Sequence, residues 1–289
     1  MRDDARNTRW NIRDTMAFAV KQIAALCRQR PSAGVEKRLS LCGFELWERL
    51  EELVRALARE GVRGVQLNLM PRLDEVLQAR QAILRCLPLM ARRGMRLRIN
   101  GLGVENFSPD ENLRLNKGIT AAQTHEAAAF LIETNRRWPA HFSLPLGGLG
   151  MILFTPWTRI SDLRVNLDNI ERCPLIDRAF ALSRRLMLFR DRPITQLAEQ
   201  DGLLAKARES IFYNAGCKIA LEQDEIPWRF AHPEVGVLWQ LARRLSCDRY
   251  NIPEDDPARQ LVEALIRESP PGPFDPLPLF RQAIAMVER

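Results

Sequence analysis

The chain has little from which neighbouring residues could build a metal site. Its six cysteines, at positions 27, 42, 86, 173, 217 and 247, form no CxxC or CxxxC pair, and the three histidines lie far from them in the sequence. Contiguous zinc and iron–sulfur signatures are therefore absent. Scattered cysteines are typical of reduced, half-buried residues in a cytoplasmic protein. We expect no metal ligands from this sequence.

Other absences exclude further classes. No run approaches the about 18 apolar residues of a membrane span, and the first ten residues lack the apolar core of a signal peptide. We therefore expect a cytoplasmic protein without a membrane partner. "GLGVEN" lacks a third glycine opening a helix, "LGGLGM" precedes its strand, and no Walker lysine is present, which excludes the common nucleotide-binding motifs. No catalytic residue stands out, because no Ser-His-Asp or Cys-His order is recognisable.

The charge balance permits polyanion binding without favouring it. The net charge is +7 with a sequence pI near 9.4, and only five of the 43 basic residues are lysine. The arginines are spread along the chain, a distribution that we interpret as a coding bias. A nucleic acid partner is therefore not expected.

Strand-like runs alternate with helical patterns along most of the chain. Apolar runs predict strands over 38–44, 62–69, 95–104, 148–157 and 184–190, with helices between them, one of them over about 73–92. This alternation predicts parallel βαβ units. We expect a helical lead-in over 1–37, an α/β domain over 38–204 and a helical, proline-containing C-terminal region over 205–289.

Helix caps can be recognised after the third predicted strand. Ser108 fits an N-cap, with Pro109 at the first helical position and Glu111 completing a capping box. Thr120 caps a second helix, with Gln123 three residues on. These caps predict two helices in succession.

Glu105 and Asn106 lie between that strand and the first of these helices. They follow the carboxyl end of a strand, which is where parallel α/β folds and barrels place their sites. A carboxylate accepts from ammonium or hydroxyl groups, and an amide can satisfy donors and acceptors. The pair is a candidate ligand clamp. In the alternative interpretation, Glu105 only satisfies nearby helix-end amides.

Five segments, in order, resemble motifs of the radical S-adenosylmethionine superfamily. The segment "GVENFSPDENLRLNKGIT" is similar to that family's "GvESgsdevLrrmnKgiT". "LSLCGFEL" stands where the family has its "GGEP" motif, and "VQLNLMPRL" resembles the next strand's motif. "MILFTPWTRISDL" and "LMLFRDRPITQLAEQDGLL" resemble the fifth- and sixth-strand regions. The resemblance covers roughly 38–204.

This resemblance implies a partial (β/α)6 TIM-type barrel, here with a helical C-terminal extension. Its implied cofactors are S-adenosylmethionine and a [4Fe–4S] cluster, which together generate a 5′-deoxyadenosyl radical for hydrogen abstraction from a substrate, unknown here. The family's CxxxCxxC cluster motif is missing, so the cluster ligands are absent from this chain. By the same resemblance, the cofactor-binding residues are Gly43, Glu45, Asn68, Glu105, Asn106, Thr155 and Trp157.

Alternatives stay open at this point. The chain could be a radical S-adenosylmethionine enzyme whose cluster-binding end lies upstream. It could instead be a non-catalytic barrel of the same type that acts as a binding or partner protein, with a partner chain completing the barrel at the edge of its second strand. A third alternative is an RNA-associated protein. Trp157 also has a simpler interpretation as a packing residue after a strand that Pro156 ends.

Overall fold

The computed structural model describes residues 12–29, 37–41, 48–144, 149–206, 224–246 and 275–288. The chain divides into two compact units, Met1–Leu102 with Glu126–Gly148 (unit 1) and Gly103–His125 with Leu149–Arg289 (unit 2). The domain boundaries expected at residues 37 and 204 stay a prediction. Among the described residues, no helix has the length and apolar character needed to cross a membrane.

The helices and strands are numbered in chain order. The helices are α1 (Ile12–Arg28), α2 (Leu50–Arg59), α3 (Leu73–Gln78), α4 (Arg80–Arg92), α5 (Pro109–Arg114), α6 (Ala121–Arg137), α7 (Ile160–Arg172), α8 (Arg178–Leu182), α9 (Pro193–Gln200), α10 (Pro233–Ser246) and α11 (Pro276–Val287). The strands are β1 (Lys37–Leu41), β2 (Val65–Leu69), β3 (Arg96–Ile99), β4 (Leu102–Glu105), β5 (Phe142–Ser143), β6 (Leu149–Met151), β7 (Leu188–Phe189) and β8 (Glu225–Ile226).

Unit 1 contains a parallel sheet in the order β1-β2-β3-β5. Leu67 and Leu97, paired across β2 and β3, are both fully buried, as apolar residues on the inner strands of a covered parallel sheet should be. Helix α2 packs against α4 and buries Leu53 and Leu57. The α/β class with a parallel sheet is thereby confirmed, whereas the closure of the sheet into a partial barrel stays a prediction.

The strand predicted over 95–104 is in fact two strands, so that prediction was wrong. Gly101 turns the chain with a positive φ of 63°, and β3 and β4 on either side of it belong to different sheets. Apolar residues alternate with polar residues or glycine on both sides of the turn, so each side matches the pattern of a strand and the break between them was missed. The helix predicted over 73–92 is likewise divided, at Ala79, into α3 and α4.

Unit 2 holds two small sheets and a set of helices around an aromatic core. Strand β4 pairs with β6, and β7 pairs antiparallel with β8, where a parallel strand was expected. Phe154 makes edge contacts with Phe230 and Phe280, each at 6.2 Å between ring centroids. Arg185 and Glu225 form a buried ion pair beside this core. Helices α10 and α11 lie within the C-terminal region that the sequence predicts to be helical, much of which falls outside the described residues.

Candidate functional site

Glu105 ends β4 in a strained backbone conformation. Its φ is 62°, in the left-handed region that residues with long side chains seldom adopt. Such a conformation costs on the order of 1–3 kcal/mol and persists only where the surroundings fix it. Here the Glu105 carbonyl accepts a hydrogen bond from the Ile152 backbone N–H. Strain stored at a strand end within the predicted site makes Glu105 a functional candidate.

The Glu105 carboxylate pairs with Lys117 and lies over Gly103, both of which belong to unit 2. Lys117 Nζ lies 2.8 Å from Glu105 Oε1, and the two side chains are 29% and 17% exposed. The carboxylate folds back over Gly103, since a Cβ atom on Gly103 would approach Glu105 Cδ to 3.0 Å and overlap Oε1. Sequence reasoning had assigned no site role to Gly103 or Lys117. The structure therefore adds two residues to the candidate site: Gly103, which leaves room for the Glu105 carboxylate, and Lys117, which forms an ion pair with it.

Asn106 is buried and bonded inside the protein. Its Nδ2 donates to the Ile152 carbonyl at 2.9 Å, and its Oδ1 accepts from Ser108 N at 2.9 Å and from Asn166 Nδ2 at 2.8 Å. An amide oxygen accepts two hydrogen bonds, so Oδ1 is saturated. The observed role of Asn106 is to fix the backbone next to Glu105. Its predicted contact with a cofactor stays a prediction.

Asn166, on α7, completes the hydrogen-bond network around Asn106. It was not identified from the sequence. It is fully buried, its Oδ1 accepts from Phe107 N at 2.7 Å, and its Nδ2 also donates to the Asp162 carbonyl at 2.8 Å. A signal was present, because Asn166 lies on the same helical face as the buried Leu163 and Ile170. An amide on an apolar stripe indicates a buried polar contact.

The N-terminus of α5 was only half correctly predicted. Ser108 is the N-cap and Pro109 the first helical residue, as expected. The capping box is wrong, because Ser108 Oγ donates to Asp162 Oδ1 at 2.6 Å and makes no cap bond to its own helix. Glu111 turns away and accepts from Thr155 Oγ1 at 2.6 Å. Both side chains of the predicted capping box therefore bond to residues far away in the sequence and not to each other's backbone.

Glu111 is a fully buried carboxylate with two partners. Thr155 Oγ1 donates to its Oε2, and Arg114 Nη1 lies 2.6 Å from its Oε1. Burial raises the pKa of Glu111, and the hydrogen bonds from Thr155 and Arg114 offset only part of that rise. The Thr155 hydroxyl, a predicted cofactor ligand, is also bonded to the Trp157 backbone N–H at 3.2 Å. Thr155 therefore anchors the turn after β6.

A pH dependence follows from the raised pKa of Glu111. An acid whose folded-state pKa exceeds its unfolded value contributes stability that is present below the unfolded pKa, 4.5, and is lost as pH rises through the folded pKa. We expect the melting temperature of the wild type, relative to Glu111→Gln, to decrease between about pH 4 and 7.

Thermal unfolding by circular dichroism across that pH range checks this. The control is Glu133→Gln, because the pKa of the exposed Glu133 is lowered by its hydrogen bonds from Arg136. The difference in melting temperature between the wild type and Glu133→Gln should stay constant or increase as the pH rises. A wild-type advantage over Glu111→Gln that grows with pH would contradict the assignment.

Trp157 packs within unit 2. Its ring is 7% exposed, its Nε1 donates to Asp201 Oδ2 at 2.7 Å, and the Arg114 guanidinium lies 5.7 Å from the ring centroid. These contacts fit the packing interpretation of Trp157. Its role towards a cofactor stays a prediction.

The other predicted site residues belong to unit 1. Asn68 lies on β2 opposite Ser40 of β1, accepts from Gln66 Nε2 at 2.8 Å and donates to Ser40 Oγ at 3.4 Å. Gly43 and Glu45 fall outside the described residues. Of the seven predicted residues, unit 2 brings together Glu105, Asn106, Thr155 and Trp157 on one set of turns linked by hydrogen bonds.

The described residues do not fit a [4Fe–4S] cluster. Cys27, Cys86 and Cys173 lie on three separate segments, and no group of three His, Cys, Asp or Glu side chains that could hold a metal occurs in the described ranges. Burial raises the pKa of the Cys86 thiol to about 12 and also raises that of Cys173, whereas iron is bound by thiolates. The other cysteines lie outside the described residues.

Solved structures show a similarity in fold. The chain resembles apo OxsB, a cobalamin-dependent S-adenosylmethionine radical enzyme, over 87% of its length, with a TM-score of 0.55 and 13% sequence identity. It spans 45% of the OxsB chain, so less than half of that protein has a counterpart here. No protein-family model and no curated protein matches the sequence. The comparison shows a similarity in fold to that enzyme and no finer property.

Proposed function

We propose that this chain is the S-adenosylmethionine-binding α/β part of a radical S-adenosylmethionine enzyme, and that Glu105 is its principal cofactor contact. The observation that carries the proposal is the Glu105 carboxylate itself, partly exposed at a strand end in a strained conformation above Gly103. The fold similarity to OxsB and the ordered motifs of the sequence support the same reading.

The chemistry of the Glu105–Lys117 pair suits an amino acid moiety. S-adenosylmethionine carries an ammonium group and ribose hydroxyls, which donate to a carboxylate, and a carboxylate, which accepts from an ammonium. Glu105 supplies the acceptor and Lys117 the donor within 2.8 Å of each other. Asn106 and Asn166 hold the backbone behind Glu105, so the carboxylate is positioned before the cofactor arrives.

The radical chemistry of the family needs a [4Fe–4S] cluster, and the described residues offer no ligand set for it. The proposal for this chain is therefore limited to binding and orienting S-adenosylmethionine, with cluster ligands coming from outside the described residues. Formation of the 5′-deoxyadenosyl radical and the identity of the substrate rest on the resemblance alone.

Isothermal titration of S-adenosylmethionine into the purified protein tests the proposal. We expect Glu105→Gln to raise the dissociation constant for S-adenosylmethionine about 10-fold or more. Hydrogen bonds to a charged group contribute about 1.5–3 kcal/mol, and a loss of about 1.4 kcal/mol corresponds to a tenfold weaker affinity. The control is Glu133→Gln, which removes a carboxylate from an exposed ion pair with Arg136 and should leave binding unchanged. No binding by the wild type, or equal weakening in both variants, would refute the assignment.

A further inference from the structure

The loops that enter β2, β3 and β5 meet at one edge of the unit 1 sheet. These strands are parallel, so their amino ends lie on the same side. The Gly64 N–H donates to the Arg93 carbonyl at 3.1 Å, which joins the first two loops. Arg96 Nε donates to the Ala140 carbonyl at 2.8 Å, which joins the last two. We call this the amino edge.

The amino edge gathers basic residues that are far apart in the sequence. Its segments are residues 37–38, 59–64, 92–96 and 133–141. Their basic residues are Lys37, Arg38, Arg59, Arg63, Arg92, Arg93, Arg96, Arg136 and Arg137, and their acidic residues are Glu60 and Glu133. Glu133 bonds to Arg136, at 2.8 Å. The edge is therefore strongly positive, although no basic run is visible in the sequence.

Three of these arginines come from three separate segments of the amino edge. Arg63, Arg92 and Arg137 are exposed, and each precedes a different strand. Arg63 lies two residues before β2, and Arg92 and Arg137 are the last residues of α4 and α6, so three separate segments place positive charge at the amino edge, where a polyanion would be attracted. A guanidinium group presents five donors in a planar fork that matches phosphate oxygens.

We propose that the amino edge binds the phosphate backbone of a nucleic acid. A lipid surface fits less well, because none of the large exposed apolar side chains of the described residues falls within the segments of this edge. Trp138, half-buried and next to Arg137, supplies an indole on which a base can stack. This inference is independent of S-adenosylmethionine binding and revises the expectation that the arginines are merely dispersed.

Fluorescence anisotropy with a fluorescein-labelled oligouridine tests the proposal. We expect the wild type to bind the RNA at about 50 mM salt and to lose affinity steeply by about 200 mM. The triple variant Arg63→Gln/Arg92→Gln/Arg137→Gln should bind at least about 10-fold more weakly. Its slope of log K against log salt should be shallower by about 2, because each phosphate contact on a single strand contributes about 0.7.

The matched control removes the same charge from exposed positions of unit 2, with Arg172→Gln/Arg190→Gln/Arg192→Gln, and should keep most of the affinity and the slope. Circular dichroism reports whether each variant is folded, and the single Arg137→Gln replaces the triple if that variant is not, with about a third of the slope change expected. Three results would overturn the proposal: no RNA binding at about 50 mM salt, equal loss in the two triples, or binding to phosphatidylserine vesicles or polyglutamate in place of RNA.

Discussion

Replacing Asn166 by leucine is expected to lower the stability of unit 2 by about 3–5 kcal/mol, since a buried donor left without an acceptor costs about 1–3 kcal/mol and each further hydrogen bond lost costs about 0.5–1.5 kcal/mol. Leucine has the same branched skeleton of four side-chain heavy atoms and is somewhat larger, so no cavity opens. The change leaves the Phe107 N–H without an acceptor, and it removes one donor each from Asn106 Oδ1 and the Asp162 carbonyl. These atoms lie in the buried interior of unit 2.

Hydrogen–deuterium exchange of the peptide around Phe107, followed in urea, measures this loss within unit 2. A local probe is needed because a chain of two units need not unfold in one step. The matched control is Asn169→Leu, on the same helix, whose side chain bonds to His125 and to the Val165 carbonyl near the surface. That variant should cost about 1 kcal/mol or less. Equal losses of stability in the two variants would show that Asn166 does not hold this hydrogen-bond network together.

Elements with strong local signals were predictable from the sequence. The capping box at Thr120 is confirmed, with Thr120 N donating to Gln123 Oε1 at 2.9 Å and Gln123 N donating to Thr120 Oγ1 at 3.2 Å. The box at Ser108 has the same sequence pattern and failed, because Asp162 is within reach of the serine and Thr155 within reach of Glu111. Buried partners from distant segments outcompete a local cap, and no local pattern reports them.

The strand error at Gly101 has a similar cause. Apolar residues alternate with polar residues or glycine on both sides of Gly101, since β3 and β4 each bury every second residue, and this pattern alone does not show that the two strands belong to different sheets. The glycine was the available signal, because a glycine inside a strand pattern often marks a bend. The antiparallel β7–β8 pair was equally beyond reach, since β8 is two residues long and pairs across a long stretch of sequence.

The strand and the helix that flank Glu105 were predictable, whereas the residues that support its carboxylate were not. Glu105 lies at the end of a strand and shortly before a helix that begins at Pro109, and both features can be recognised in the sequence. The pairing with Lys117 and the room provided by Gly103 depend on how the backbone folds back at Glu105. A left-handed φ at a glutamate has no sequence signature of its own. Three-dimensional structure was therefore needed to separate the proposed contact residue from the residues that position it.

The role of Gly103 leads to the sharpest test of that separation. An alanine there would push the Glu105 carboxylate off its place, since the added Cβ would approach Cδ to 3.0 Å and overlap Oε1. The backbone tolerates the change, because Gly103 is not among the residues with positive φ and alanine fits a strand interior at least as well as glycine. We therefore expect Gly103→Ala to keep its melting temperature and to bind S-adenosylmethionine about 10-fold more weakly.

A double-mutant cycle decides whether Gly103 acts through Glu105. If alanine weakens binding only by displacing the carboxylate, the Gly103→Ala change costs about tenfold in the wild type and almost nothing once Glu105→Gln has removed the charge. Titration calorimetry on the four proteins of the cycle gives the coupling free energy directly. Additive losses would mean that Gly103 shapes the site by another route, such as contact of its backbone with the cofactor. A large coupling free energy would show that Gly103 and Glu105 act together to place one carboxylate at the end of β4.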